Sequence, residues 1–386
     1  MSTESRSIAA APTLPVETAS AAEEKVSVAT QWQLMWWRFR KHKVAMLSAV
    51  IVGLFYLVVV FADFLAYADP FGSEAQRGLI APQAIYWTNP DTGEFGPHVL
   101  GMAGKRDPTT FKRVYEPDPT QKIPVVLFAR GFEYKLLGLI PTDRHLFGVG
   151  EGKAEETLFL LGTDEQGRDM WSRLMFATRI SLVIGLAGVT LSLFLGVLLG
   201  GISGFYGGLV DTVIQRVIEI LRSIPTIPLW MGLAAAMPRD WDVLRVYFVI
   251  TLIISLIGWT ELARVVRGRF LSLREEDFVM AAELVGCGRM RIIFRHMVPS
   301  FLSHIIAATT LALPAMVIAE TSLSFLGLGL RPPAISWGVL LQQAQNVQTV
   351  AITPWLLLPA VPVIVVILAF NFLGDGLRDA ADPYGS

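Results

Sequence analysis

Cysteine is almost missing from this 386-residue chain; Cys287 stands alone, so no internal disulfide can form. The five histidines are scattered and never meet a cysteine or acidic residue at metal-ligand spacing, which gives no sign of a bound metal. Neither sign of charge is in excess. The 32 Lys and Arg nearly balance 33 Asp and Glu, so the net charge of -1 offers no basic field for nucleic-acid phosphates. A phosphate loop is lacking too, since Gly101-Met-Ala-Gly104-Lys105-Arg106 has neither the spacing nor the Ser/Thr of a Walker A sequence. The chain is therefore not expected to hydrolyse ATP by itself. No internal repeat with matched interruptions speaks for a secondary transporter, which stays the alternative of another class, and no nucleophile, base and metal set converges as an enzyme would need. The first thirty residues have neither the charged start nor the short apolar core of a secretory signal. Residues 1–31 read as a disordered cytoplasmic tail.

What the chain has in quantity is apolar sequence in long runs. It is 53% hydrophobic and only 17% charged, with a mean hydropathy of +0.51, which suits a polytopic membrane protein with a sizeable wet portion. Six runs are long enough to cross a hydrocarbon core of about 30 Å. They cover about Val44 to Tyr67, Ile180 to Ser203, Leu209 to Met237, Val246 to Ala263, Phe301 to Thr321 and Pro354 to Phe372. Trp32, Trp36 and Trp37 and then Arg38, Arg40, Lys41 and Lys43 precede the first run, marking a headgroup layer with its basic flank inside. Counting crossings from there puts the arginine-rich stretch from Arg264 to His296 in the cytoplasm, in independent agreement with the positive-inside rule. Both termini are expected inside.

The segment from Asp69 to Met175 falls outside on this count. Its turn formers, among them Asn89-Pro90-Asp91, Glu116-Pro117-Asp118-Pro119 and Gly148-Val149-Gly150, alternate with short apolar stretches at Pro124 to Phe128 and Lys135 to Ile140. A small, mostly irregular or β-containing insertion is expected there.

Between the fourth and fifth runs, Ser272 and Glu275 have capping-box spacing and Gly286 is placed to end a helix in a left-handed cap. On that helix Phe278, Ala281, Ala282 and Val285 share one face, with small residues at its centre. A second short helix is expected from Arg289 to Met297, with Pro299 opening the fifth span. By pattern alone the hairpin could be an amphipathic linker on the bilayer surface.

Ala281-Ala282, Gly286 and Pro299 resemble the E-A-A-x-x-x-G...L-P signature of bacterial ABC import permeases, with Met280 and Val298 where Glu and Leu are usual. Leu161-Gly-Thr-Asp-Glu-Gln-Gly-Arg-Asp169 with Ser172-Arg173, Gly204-Phe-Tyr-Gly-Gly208 with Asp211, Arg216 and Pro225, and Glu320-Thr-Ser-Leu-Ser-Phe-Leu-Gly-Leu-Gly329 narrow the likeness to the peptide-type importers. So do Pro332-Pro333, Ser336-Trp337-Gly338 and Leu373 to Asp379 with Asp382-Pro383, although Ile335 and Ala381 replace the commoner Pro and Leu. The likeness spans about Trp32 to Tyr67 and Leu160 to Pro383, and leaves most of the insertion aside.

The resemblance implies an all-α polytopic protein of the bacterial inner membrane with six transmembrane helices, the type I ABC importer permease architecture and a large periplasmic insertion. Its divisions would be an interfacial helix and first span at 32–67, the insertion at 68–175, a permease core at 176–376 with coupling helices at 270–298, and a cytoplasmic end at 377–386. Its expected partners are a second homologous permease, two ATPase subunits that hold ATP and magnesium, a periplasmic binding protein and membrane lipid. No cofactor is expected in this chain. The implied cargo is peptide, with oligosaccharides or opines as the alternative for the same machinery.

Other residues carry readings of their own. Gly196, Gly200, Gly204 and Gly208 recur every fourth residue, baring one helix face for close packing. Asp164, Arg168 and Asp169 read as a solvated turn or as part of an outer gate or docking surface. Glu219 is expected to pair with Arg216 or Arg222, and Glu261 with Arg264. Glu320 has no nearby cation in sequence, so it is a candidate for the subunit interface or translocation path. Leu323 to Val350, too polar to cross, suggests a re-entrant or scoop-like segment or an external loop.

Overall fold

A computed structural model describes residues 30–88, 95–106, 108, 113–150, 157–238 and 240–381. Most of the expected tail, the Asn89-Pro90-Asp91 turn and residues 382–386 lie outside the described residues. The helix α1 (Gln31–Lys41) starts inside the expected tail because Thr30 and Gln33 form a capping box, each side chain accepting from the other's backbone N–H. Trp32, Trp36 and Trp37 are exposed, whereas Met35 and Phe39 turn inward. His42 then caps α2 (Lys43–Leu65), accepting from Ala45 N at 3.1 Å.

Among the described residues, five helices are long and apolar enough to cross a membrane, and a sixth span exists if one bent pair is counted as such. Besides α2 they are α3 (Met170–Tyr206), α6 (Val243–Leu273), α8 (Leu302–Phe325) and α10 (Ala360–Ala381), the last continuing a turn at Pro354–Leu357. The expected third span is not one helix. It is split into α4 (Gly208–Ser223) and α5 (Thr226–Ala235), bent by 85°. Pro225 forces this break, because the residue before a proline is driven out of the helical region and Ile224 is extended.

The helix α6 also corrects an expectation. At about 1.5 Å per residue its 31 residues reach well beyond a hydrocarbon core of about 30 Å, so Ser272 lies inside it. The Ser272–Glu275 capping box does not form. The following helix, α7 (Asp277–Leu284), starts at Glu276 without a side-chain cap. Long contacts join α3 with α6, α8 with α10, α10 with α2, and α2 with α3. Met170, Leu182, Ile184, Ile250, Ile254 and Val317 fill the space between them.

The all-α expectation holds for the membrane part only. In the insertion, β1 (Tyr86–Thr88), β2 (Phe95–Arg106), β3 (Arg113–Leu127) and β6 (Phe147–Val149) form an antiparallel sheet in the order β1-β2-β3-β6. A hairpin of β4 (Arg130–Leu136) and β5 (Ile140–Arg144) stands beside it. Two expected turns are strand instead, since Glu116 to Pro119 falls within β3 and Gly148-Val149 within β6. The prolines survive because β6 pairs only with Val125 to Leu127, leaving that edge of β3 open at Pro117 and Pro119. The turn chemistry of Asp118 is spent on a bulge: the register jumps from Lys122 to Asp118, and Thr120 N donates to Asp118 Oδ1 at 2.9 Å.

After α8 the chain folds back in turns to α9 (Trp337–Gln342), whose N-cap Ser336 accepts from Val339 N. Trp337 is wholly buried, edge-on to Phe55 of α2, and its ring N–H donates to Thr178 Oγ1 at 3.2 Å. Residues 334–340 are packed into the helices, whereas Arg331 to Pro333 and Gln345 to Val347 stay exposed.

Candidate functional site

The helix α7 turns Val279 inward onto Phe270, Ile292, Ile293 and Met297 and leaves its other side apolar but unburied. Leu284 and Val285 are 87% and 83% exposed, and Phe278, Met280 and Ala281 are exposed beside them. Ala282 is half-buried, so the four-residue face read from spacing is rotated and its most exposed member, Leu284, lay outside it. Gly286 ends the helix as expected. Its φ is +80°, its N–H donates to Glu283 O at 2.9 Å, and Cys287 N donates to Ala282 O at 3.0 Å, a Schellman arrangement that lifts Leu284 and Val285 to the tip. Residues Ile292–Met297 wind as a π-helix that turns Ile292, Ile293 and Met297 inward. Pro299 sits in the short turn Val298–Ser300, and Phe301, non-helical at φ -129°, separates it from α8. It precedes the fifth span without opening it.

Three of the four periodic glycines meet α6. An added Cβ would lie 2.9 Å from Leu262 Cβ at Gly196, 2.5 Å from the Ala263 carbonyl oxygen at Gly200, and 2.6 Å from Phe270 Cβ at Gly204. Gly208 does not belong to this face. The helix α3 ends at Tyr206, and Gly208 has φ +54° with nothing within 4 Å of its Cβ position. Beside this contact Asp211 of α4 receives both Arg267 Nε at 2.5 Å and Nη2 at 2.6 Å, together with the Ser203 hydroxyl.

In the turn before α3 the three charges read from the sequence are not solvated. Asp164 is 0% exposed, and Arg168 and Asp169 are also buried, so they cannot themselves dock a partner; the exposed members are Glu165 and Gln166. Arg168 Nε donates to Asp164 Oδ2 at 2.7 Å, and Arg173 Nε lies 3.6 Å from the same oxygen. Gln343 Nε2 donates to Asp164 at 3.3 Å and Trp355 Nε1 to the Thr163 carbonyl at 3.0 Å, which ties the turn to the segment after α9. Asp169 caps α3 through Ser172 N at 2.7 Å and accepts from Tyr67 Oη at 2.6 Å. Burial raises its carboxyl to about 6, although hydrogen bonds from Tyr67, Ser172 and Trp171 oppose the rise.

Glu320 is 0% exposed and enclosed by this chain alone, so it faces neither a partner nor an open path. Ser181 Oγ and Ser324 Oγ each donate to it at 2.9 Å, and Ser181 Oγ also accepts from Trp337 N at 3.1 Å. The carboxylate thus joins α3, α8 and the start of α9. Glu219 pairs with Arg216 at 2.7 Å as expected, whereas Glu261 reaches across to Arg222 at 3.6 Å instead of Arg264.

Arg267, Tyr67, Gln343 and Trp355 are the partners that sequence reading missed. They stand 56 to 192 residues from the groups they bind, beyond any helical or strand spacing. Among the described residues, no group of three or more His, Cys, Asp or Glu side chains could hold a metal ion.

Residues 196–384 match the model of the binding-protein-dependent transport system inner membrane component, and residues 30–82 that of the N-terminal TM domain of oligopeptide transport permease C. The oligopeptide transport system permease protein OppC of Bacillus subtilis (strain 168) is 36% identical over 223 residues, covering 58% of this chain and 70% of that protein. This chain belongs to the binding-protein-dependent inner-membrane permeases. OppC of Haemophilus influenzae is 39% identical over 59% of this chain and 71% of its own length, and the dipeptide transport system permease protein DppC of Bacillus subtilis 37% over 58% and 68%. A solved inward-facing MetNI methionine ABC transporter aligns over 52% of this chain and 96% of that one, at 16% identity and a TM-score of 0.39. The protein is a peptide-type ABC permease, a multi-pass transport subunit of the inner membrane and not itself an enzyme. Residues 83–195, which include every strand of the insertion, lie between the two matched stretches.

Proposed function

We propose that this permease carries peptides across the inner membrane, and that Leu284, Val285, Phe278 and Ala281 form the surface through which ATPase subunits drive it. The observation that supports the coupling role is the apolar tip of α7, which is left uncovered by the described residues although Val279 on the same helix is fully buried. Exposed apolar clusters of this kind mark protein interfaces. A second homologous permease completes the pathway, two ATPase subunits hold ATP and magnesium, and a periplasmic binding protein delivers solute. The termini and α7 face the cytoplasm and the insertion faces the periplasm, in keeping with the basic flank of α1 and the arginines between Arg264 and Arg295. ATP binding closes the ATPases, and α7 passes that motion to α6 and α3 through Phe270, Ile293 and the glycine contacts.

Asp164, Arg168 and Asp169 act in this scheme from within, by holding the outer end of α3 to the segment after α9. Glu320 does the same for α9 itself. Gating at the outer face would move these packed parts together.

The test is Ala281→Asp in the purified complex. Membrane levels of the permease should persist while co-purification of the ATPase subunits falls about tenfold, the effect of roughly 1.4 kcal/mol at an interface. Full retention of the ATPases would refute the docking role. For the cargo, the operon's binding protein should retain radiolabelled peptides in preference to oligosaccharides or opines; the reverse order would reassign the substrate.

A further inference from the structure

Among the described residues, the hairpin β4–β5 carries an exposed apolar loop of the insertion. Its closing pair is Leu136 and Ile140, and Leu137 and Gly138 take positive φ of 54° and 73° to make the turn. Leu137 is 57% exposed, Leu139 81% and Ile140 60%, with the exposed cation Lys135 one step back. A soluble loop of this length would ordinarily be polar.

The base of the hairpin is fastened to the end of a membrane-spanning helix. Leu146 N donates to the Phe64 carbonyl at 2.8 Å, His145 Nδ1 lies 3.0 Å from the Asp63 carbonyl oxygen, and the Phe64 and Phe128 rings meet tilted with centroids 6.3 Å apart. The strand direction then matters. A Cβ at Gly131 would stand 3.2 Å from the Tyr67 carbonyl, just past the end of α2, whereas His145, bound to Asp63, holds the Phe132 carbonyl at 3.1 Å and packs 5.0 Å from the Tyr134 ring. Moving from Gly131 to Tyr134 therefore runs backward along α2, from Tyr67 towards Asp63 and the span. Two more strand residues at about 3.3 Å each carry the chain roughly 7 Å further the same way before Leu137 and Gly138 make the turn.

We infer that the β4–β5 tip dips into the bilayer beside α2, with Leu137, Leu139 and Ile140 at the headgroup and acyl boundary. The occupant is lipid, because the tip continues the apolar outer surface of α2, where Leu54, Leu57 and Val60 are exposed. Phe132 and Tyr134 stand above it with ring centroids 6.0 Å apart, and Lys135 supplies a cation at headgroup level. Interfacial apolar elements bury about 5–10 Å into this boundary, a depth the hairpin can reach. The insertion would thus be steadied against the membrane as well as against α3.

The test labels Leu139→Cys with an environment-sensitive fluorophore in the full transporter complex, reconstituted in phosphatidylcholine vesicles. The signal of the unsubstituted chain, labelled at Cys287, is subtracted. Quenching by brominated acyl chains should be at least about twofold stronger at Leu139→Cys than at Glu133→Cys, with aqueous iodide in the opposite order, as expected for an interfacial depth. Iodide quenching equal to that at Glu133→Cys would overturn the proposal, and so would protection from both quenchers, which means that a protein partner covers the tip. Ile140→Cys gives the same readout should Leu139→Cys not reach the membrane.

Discussion

The tip of α7 and the cluster around Asp164, Glu320 and Trp337 both come from the most recognisable stretches of the sequence, yet they solve opposite problems. Around α7 the apolar groups Leu284 and Val285 are left in the open, and the helix is held by one buried residue, Val279. At the other site the polar groups are sealed in: Asp164 and Glu320 have no exposure, the Ser181 hydroxyl and the Gln343 amide reach them from distant elements, and the Arg168 guanidinium meets Asp164 from one turn away. A buried charge is tolerated only where its partners are fixed, so the second region should be intolerant of change and rigid. An exposed apolar tip contributes little to its own fold, so its cost must be recovered by a partner. Equal motif strength in sequence thus hides a difference between an interface and an internal lock.

The sharpest way to break this comparison is Asp164→Ala. It strands the buried guanidinium of Arg168, and removing one partner of a buried pair costs about 3–5 kcal/mol. The purified complex should show a large fall in its thermal unfolding midpoint, and most of the variant should be lost before reaching the membrane. A midpoint within a degree or so of the parent's would mean that the cluster is no lock.

A smaller effect is expected at the α3–α6 contact, which lies between the two regions. Gly200→Val drives a side chain into the Ala263 carbonyl, where even a Cβ would stand at 2.5 Å, and overpacking of this kind costs about 1–3 kcal/mol. Gly53→Ala in α2, with nothing within 4 Å of its Cβ position, should be neutral or slightly stabilising by up to about 1 kcal/mol. Equal destabilisation of both variants would show that the glycine spacing has no packing role.

How much of this was legible beforehand follows the range of the interactions. The glycine face, the Gly286 cap and the Arg216–Glu219 pair are set by neighbours within one or two turns, and spacing alone points to them. The break at Pro225 was legible in principle, since the proline interrupts an apolar run, but hydropathy averaged over the window hid it. The strands around Glu116 to Pro119 were masked by turn formers, because a proline on an open strand edge has the same sequence as a proline in a turn. What spacing could not carry at all is the Asp164–Gln343, Asp169–Tyr67 and Asp211–Arg267 pairing, which depends on helices closing over one another.

A titration separates the two regions more gently. Burial, the largest influence on Asp169, raises its carboxyl from 3.8 to about 6, so the folded protein binds this proton more tightly than the unfolded chain. Its contribution to stability is therefore fully present below pH 3.8 and is lost as pH rises through about 6. Thermal unfolding midpoints followed across that window should carry this downward slope, and Asp169→Asn should flatten it. An unchanged slope would assign the pH dependence elsewhere.

The smallest expected change in stability is also the most informative about function. Leu284→Ser with Val285→Ser alters two side chains that are 87% and 83% exposed among the described residues, and surface substitutions away from buried features usually stay within about 0.5 kcal/mol. The unfolding midpoint of the isolated permease should therefore be that of the parent, while binding of the ATPase subunits falls. The pairing of results matters because each half alone is ambiguous: lost binding with lost stability would only report a damaged loop, and retained binding would leave the exposed tip without a role. Since Val279 anchors α7 from the opposite side and Gly286 closes it through the backbone, neither substitution touches what shapes the helix. Loss of the partner from an otherwise intact permease would separate docking from folding within a single eight-residue helix.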